Sequence, residues 1–210
     1  MTFGQAVLGF GVVAALLTIV PGVDTSLVLR SALTRSRGYA WATALGILTG
    51  TIVWGIAAAV GATAILAASE VAYRLVSLAG AVYLAGLGVS FLVRSFQRLP
   101  DEQALPTPAG GIGRGWALGL MTNLLNPKVG VFYLATIPQF LPSGVSPLAM
   151  GIVLALVHNL LGLIWFGAII GAGAALGPRL RSARFVRWLD RVTGGVLLCF
   201  GARLLWDVRN

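Results

Sequence analysis

The chain has 210 residues, of which 58% are hydrophobic and only 10% are charged, and its mean hydropathy is +0.91. So few polar side chains cannot cover a water-soluble domain of this size, and the composition therefore excludes a soluble globular protein. The net charge of +9 does not indicate a nucleic-acid-binding protein, because the arginines form short clusters between long apolar stretches and not one basic patch.

The apolar stretches predict an all-α membrane protein with six transmembrane helices in one domain that covers residues 1–210. Crossing the hydrocarbon takes about 20 apolar residues in a helix. The six predicted spans are Phe3–Val23, a segment within Tyr39–Ser69, Leu75–Val93, Gly115 to about Leu141, Leu148–Leu176 and Trp188–Trp206. The first run lacks a basic start and is longer than the apolar part of a signal peptide, so we interpret it as a retained helix.

The two halves of the chain resemble each other. A polar loop at about 94–114 separates a first repeat (about 1–93) from a second (about 115–210). Pro21 and Pro127 lie 106 residues apart, Trp54 and Trp165 lie 111 apart, and the AGAVYL and TGGVLL segments lie 114 apart. Because each repeat holds three helices, the second enters the membrane from the opposite side, and an inverted repeat is expected.

The distribution of basic residues predicts the orientation, because cytoplasmic loops are enriched in Lys and Arg. Loops 1–2, 3–4 and 5–6 hold eleven arginines and the opposite side holds three. We therefore expect these three loops in the cytoplasm and both termini outside, in the inner membrane of a bacterium. The basic stretch from Arg179 to Arg191 is expected to contact anionic membrane lipid.

The first candidate site is the PGVDT segment from Pro21 to Thr25. Proline removes a helical N–H and glycine has little helical preference, so Pro21 and Gly22 predict a break in the first span. The carbonyl groups freed by the break need partners, and the carboxylate of Asp24 follows the break directly.

The second candidate site is the NLLNPK segment from Asn123 to Lys128, at the matching point of the second repeat. Lys128 lies near the middle of the fourth span, where a charge costs at least about 2.5 to 3.5 kcal/mol. A break at Asn126 and Pro127 would expose backbone groups for a ligand, and Lys128 would supply a cation for a carboxylate.

These motifs resemble the lysine exporter superfamily, and in particular its homoserine/threonine exporter branch. The PGVD motif, the NLLNPK motif, the PQFLP segment (Pro138 to Pro142) and the closing RWLDRVTGGVLLCFGARLL segment (Arg187 to Leu205) carry the resemblance over nearly the whole chain. The sequence departs from the family where Val23 replaces a common second proline. The resemblance implies proton-driven export of amino acids or close derivatives, without a cofactor.

Several roles stay open at this stage. Asp24 and Lys128 either form a fixed ion pair or handle substrate and protons directly. Asn123 and Asn126 either cap the broken helix ends or contact the substrate.

Three further polar residues are candidates for the site. His158, followed by Asn159, suggests a proton relay because imidazole titrates near neutral pH, but hydrogen bonds to a neighbouring helix explain the pair equally well. Gln139 is either an interfacial residue or a functional one. The glycines Gly46, Gly50, Gly55, Gly162, Gly167, Gly171 and Gly173 predict close helix packing and would also allow helices to slide, and a Gly/Ala-rich exposed face would allow a homodimer.

The predicted function is secondary active export by alternating access, with an amino acid of the homoserine, threonine, leucine or lysine type and protons as the small-molecule partners. A heavy-metal cation exporter of the same superfamily is the alternative, although a transition-metal site needs clustered Cys, His or carboxylate ligands and the chain has one cysteine and one histidine. An enzyme is not expected, because no nucleophile–base set or HExxH motif occurs. A structural subunit would leave Lys128 unexplained.

Overall fold

The computed structural model describes residues 1–97, 110–180 and 182–209. Every regular element in these ranges is a helix, which confirms the all-α prediction. The elements are α1 (Phe3–Ile19), α2 (Val23–Thr34), α3 (Arg37–Ala68), α4 (Glu70–Arg94), α5 (Ile112–Leu124), α6 (Pro127–Thr136), the 3₁₀ turn η1 (Ile137–Phe140), α7 (Pro147–Leu180) and α8 (Ala183–Arg209).

Two stretches of the described chain, within α3 and α7, are long and apolar enough to cross a membrane by themselves. They are Arg37–Ala64 and Pro147–Ala172, with mean hydropathies of 1.8 and 2.2. Together α1 and α2 form a third candidate, bent by 53°. The chain is thus a helical membrane protein, whereas the full count of six spans and the inverted repeat stay predictions.

Outward-facing apolar side chains on these helices agree with a lipid environment. Large side chains such as those of Leu8, Val60 and Ile164 are 73%, 51% and 65% exposed. Exposed apolar side chains cover three separate helices here, whereas soluble monomers rarely show large continuous patches of this kind.

Two helices begin before the charge-free runs that predicted their spans. α4 begins at Glu70, not at Leu75, and α8 begins at Ala183, not at Trp188. Long charged side chains reach the headgroups from inside a helix, so a helix can continue past them. The predicted loop at 94–114 lies largely outside the described residues, and α5 already starts at Ile112.

Both broken helices occur where proline predicts them. The first break separates α1 from α2 at residues 20–22, and the second separates α5 from α6 at residues 125–126. Gly22 and Asn126 have extended backbone conformations at the N-caps of α2 and α6. The segment predicted as the fourth span is therefore two helices of 13 and 10 residues and a 3₁₀ turn.

Glycines let α3 lie directly against α5. A Cβ atom at Gly46 would overlap the carbonyl oxygen of Trp116, and one at Gly119 would overlap that of Thr43. The two backbones are thus in contact, which holds the end of α5 beside α3. Gly171 differs from the prediction, because nothing lies within 4 Å of a Cβ built there.

Candidate functional site

The first break leaves a backbone carbonyl without its helical donor. Residue 21 is proline, so it has no N–H for the carbonyl oxygen of Leu17, four residues earlier. Lys128 supplies the missing donor: its Nζ lies 3.2 Å from the Leu17 oxygen and 3.4 Å from the Val20 oxygen. The cation thus binds the C-terminal end of α1, where the helix dipole favours positive charge.

The second break is organised in a similar way. Asn126 caps α6, because its side-chain oxygen accepts the backbone N–H of Lys128 at 3.1 Å. Pro127 has no N–H for the carbonyl oxygen of Asn123, and this oxygen accepts the backbone N–H of Asn126 at 3.0 Å and the indole N–H of Trp54 at 3.4 Å. Capping is therefore a role of Asn126 in this structure.

Asp24 bonds an amide rather than the lysine. The side-chain N–H of Asn123 donates to Oδ2 of Asp24 at 2.8 Å. An ion pair joins Arg94 to Asp190, whereas Asp24 and Lys128 are bonded to other groups. The fixed ion pair that the sequence left open is not formed here.

Two buried acceptor atoms beside Asp24 have no donor. In the described part of the chain, Oδ1 of Asp24 and Oδ1 of Asn123 are both buried without a hydrogen-bond partner. A buried acceptor without a donor costs free energy, about 1–3 kcal/mol. Oδ1 of Asn123 lies against Gly50 of α3, so it is Oδ1 of Asp24 that favours a group with N–H donors.

The two breaks line one cavity. It offers about 50 Å³ for the centres of water molecules, enough for a few of them, since one needs roughly 10–15 Å³. Its lining residues are Leu17, Thr18, Val20, Gly22, Asp24, Thr25, Ile47, Leu48, Thr51, Asn123, Asn126, Lys128, Val129, His158, Gly162 and Phe166.

Seven of the eleven predicted site residues therefore line this cavity: Gly22, Asp24, Thr25, Asn123, Asn126, Lys128 and His158. Pro21 and Pro127 act through the backbone breaks, and the side chain of Pro127 lies outside those described. Gln139 lies in η1, half-buried and away from the lining.

His158 and Asn159 have different surroundings. His158 lines the cavity, and its Nδ1 lies 2.9 Å from the hydroxyl of the buried Tyr133. Asn159 does not line it; its amide donates to the Leu48 oxygen at 3.0 Å, and its side-chain oxygen accepts the hydroxyl of Thr51. Asn159 thus links α7 to α3, which agrees with the alternative of hydrogen bonds to a neighbouring helix.

Sequence reasoning missed the contribution of α3 and the aromatic lining. Thr51 and Phe166 line the cavity, and Trp54 completes the second break. In the sequence, Trp54 and Trp165 served only to align the two repeats. Their indole N–H groups bond opposite breaks, since Trp165 donates to the Thr25 hydroxyl at 3.4 Å.

The family model "LysE type translocator" matches residues 15–208, nearly the whole sequence. The chain belongs to the LysE type translocator family. Membership confirms the resemblance drawn from the PGVD and NLLNPK motifs, and it identifies a membrane transport protein.

Named relatives of this LysE-family chain agree with that assignment. An uncharacterized membrane protein, YrhP, of Bacillus subtilis (strain 168) is 28% identical over 95% of this chain and 98% of its own length. The threonine efflux protein of Salmonella typhi is 28% identical over 88% of this chain and 90% of its own. The leucine efflux protein of Klebsiella pneumoniae is 26% identical over 91% and 90%. No solved structure matches the chain.

Proposed function

We propose that this protein is a secondary exporter of amino acids or close derivatives, of the homoserine, threonine, leucine or lysine type, and that it works by alternating access. The observation that carries the proposal is one cavity lined both by the Lys128 cation and by Asp24, whose Oδ1 has no donor. A zwitterion complements this pattern, because it brings both a carboxylate and an ammonium group. The efflux proteins among the relatives support the same class of substrate.

The substrate ammonium would bind the acid side of the cavity. Its N–H groups would donate to Oδ1 of Asp24, an oxygen that has no donor. The substrate carboxylate would bind Lys128 in place of one of its present contacts. Asp24 would then be free to act in coupling as well as in binding.

Proton coupling follows from the same carboxylate. Protonation of Asp24 from outside would weaken its hold on the substrate ammonium, so proton entry would favour substrate release to the outside. The Asn123 amide would still bond the neutral acid. This coupling step needs a cavity that opens to each side of the membrane in turn, and broken helices allow such a movement.

The membrane arrangement is part of the proposal. We place the protein in the bacterial inner membrane with six spans, loops 1–2, 3–4 and 5–6 in the cytoplasm and both termini outside. Crosswise tryptophan bonds support the inverted repeat: Trp54 of the first half bonds Asn123 of the second, and Trp165 of the second bonds Thr25 of the first.

Counterflow in proteoliposomes tests the function. Purified protein would be given a panel of labelled amino acids with and without a pH gradient, and we expect accumulation of a subset that increases with the gradient. Asp24→Asn should remove the dependence on the gradient, whereas Asp101→Asn, in the predicted cytoplasmic loop, serves as the matched control. A panel without any flux, or full gradient dependence in Asp24→Asn, contradicts the proposal.

The same vesicles test metal export. Cd²⁺ flux without amino-acid flux would favour the heavy-metal alternative. Among the described residues no group of three His, Cys, Asp or Glu side chains could hold a metal ion, so no observation favours that alternative.

A further inference from the structure

The ammonium group of Lys128 has a third neighbour besides the two carbonyl oxygens. Its Nζ lies 5.6 Å from the ring centroid of Phe91 in α4, within the range of a cation–π interaction. Two oxygens and one aromatic ring thus surround an ammonium that has three N–H groups. Lys128 is also the only lysine in the sequence.

Phe91 lies behind the cavity and not in its lining. The ring is 5% exposed, and the lining side chains come from α1, α2, α3, α5, α6, α7 and the two breaks. Phe91 is thus outside the lining, and its ring contacts the Lys128 ammonium that lines the cavity. A direct contact with the substrate is not needed for it to act there.

A second cation fixes the Phe91 ring. The guanidinium of Arg94 lies 5.2 Å from the ring centroid. Arg94 is held by Asp190, with Nε 2.9 Å from Oδ2 and Nη2 2.6 Å from Oδ1. The Asp190 carboxylate neutralises Arg94. The repulsion between Arg94 and Lys128 is therefore reduced, and both cations can contact the same ring.

We infer that Phe91 is a positioning residue, which keeps the Lys128 ammonium at the end of α1 until a substrate carboxylate replaces one of its contacts. This inference rests on the proposed function. The ring is the weakest of the three contacts, because the other two are hydrogen bonds to carbonyl oxygens. A carboxylate that enters the cavity would draw the ammonium away from the ring first.

Weakening the ring contact should therefore release Lys128. The substrate carboxylate could then bind the ammonium without the free-energy cost of breaking the contact with the ring. KM should therefore fall by about three- to tenfold. Because the same carboxylate would leave more slowly, kcat should fall as well. A purely structural defect would lower the amount of active protein and leave KM unchanged.

Fluorinated phenylalanines at position 91 provide the graded test. Each added fluorine reduces the negative charge on the ring face with little change in shape, from 4-fluoro to 3,5-difluoro to 3,4,5-trifluorophenylalanine. Phe91→Leu removes the aromatic face, whereas Phe91→Trp should keep one. Phe10, which is 0% exposed and packs against the Phe132, Tyr133 and Phe140 rings, is the control position for the same fluorinated series.

The first readout needs no substrate. Trace acetylation with acetic anhydride labels unprotonated amines, and mass spectrometry reports the single ε-amine at Lys128, normalised to a lysine-containing reference peptide. Because the ring stabilises the charged form, which does not react, labelling should rise stepwise with fluorination at Phe91 and in Phe91→Leu. An unchanged rate across the series, or the same rise at Phe10, overturns the inference.

The second readout is the KM and kcat of counterflow in the same variants. A fall of both along the series supports the inference, and a labelling rise without a KM change overturns it. If the wild-type protein moves no amino acid, the proposed function fails, and the labelling series then decides alone whether Phe91 positions Lys128. The two failures are thus distinguishable.

Discussion

The ammonium of Lys128 donates a hydrogen bond of 3.2 Å to the carbonyl oxygen of Leu17, the oxygen that a residue other than proline at position 21 would have bonded. One broken helix therefore completes the other. The cation is held by the backbone of α1 and the anion of Asp24 by the amide of Asn123. Both charges are thus bound by neutral groups, which leaves each of them able to bind an opposite charge of a zwitterion.

Pro21→Ala should stabilise the protein and impair transport. Alanine restores the N–H that Leu17 lacks, so α1 and α2 would join more nearly as one helix and Lys128 would lose a partner. We expect an unchanged or higher melting temperature in detergent and a more than tenfold loss of counterflow. Pro147→Ala, at the first turn of α7, should leave both nearly unchanged, because the N–H there has no helical acceptor. Normal transport by Pro21→Ala would contradict the role of the break.

Gly46→Ala should be strongly destabilising. Its Cβ would overlap the Trp116 carbonyl oxygen, so α3 and α5 would have to separate, at a cost of about 1–3 kcal/mol or more. Gly61→Ala is the matched control in the same helix, because nothing lies within 4 Å of its Cβ. Thermal unfolding in detergent should show a lower midpoint for Gly46→Ala only. Equal midpoints for the two variants would show that the helices are less tightly packed than described.

The two partners of the Arg94–Asp190 ion pair should differ in how much their substitution destabilises the protein. The Arg94 side chain is 40% exposed and that of Asp190 is 0% exposed, so only the arginine can reach water when its partner is removed. Arg94→Ala should therefore lower the free energy of unfolding more than Asp190→Asn, because it leaves a buried charge uncompensated. Chemical denaturation of both variants measures the difference, with Arg187→Ala, an exposed position, as the control. The opposite order would disprove the asymmetry.

His158 and Asn159 should separate specificity from stability. Asn159 links α7 to Leu48 and Thr51 outside the cavity lining, so Asn159→Ala should cost about 1–3 kcal/mol of stability and leave the order of preferred amino acids unchanged. His158 lines the cavity, so His158→Phe should change that order. The counterflow panel and thermal unfolding measure the two effects. If only Asn159→Ala changes the order of preferred amino acids, specificity depends on Asn159 and not on His158, which contradicts the prediction.

The sequence predicted the two breaks because proline and glycine act on their own backbone. Pro21, Gly22 and Pro127 need no tertiary contact to end a helix. Lys128 was identified from the cost of its charge in the membrane, which is also a local argument. Local chemistry was therefore sufficient to predict both breaks and the lysine that lines the cavity between them.

The partners of these residues could not be predicted in the same way. That Lys128 bonds Leu17 rather than Asp24, and that Trp54 reaches Asn123, depends on how the helices meet. Arg94 was interpreted as a loop residue that sets orientation, and its bidentate bond to Asp190 was not foreseen. Contacts between helices that are about 100 residues apart leave no periodic pattern in a sequence.

The bond between Lys128 and Leu17 also has a consequence for biosynthesis. The two residues are separated by 111 positions, so the ribosome completes α1 long before it makes the lysine. During that interval the Leu17 carbonyl has neither a helical donor nor its final partner, and in lipid such a group is costly. The first half of the nascent chain therefore waits in an incomplete state, and synthesis of the second proline motif brings the group that completes it.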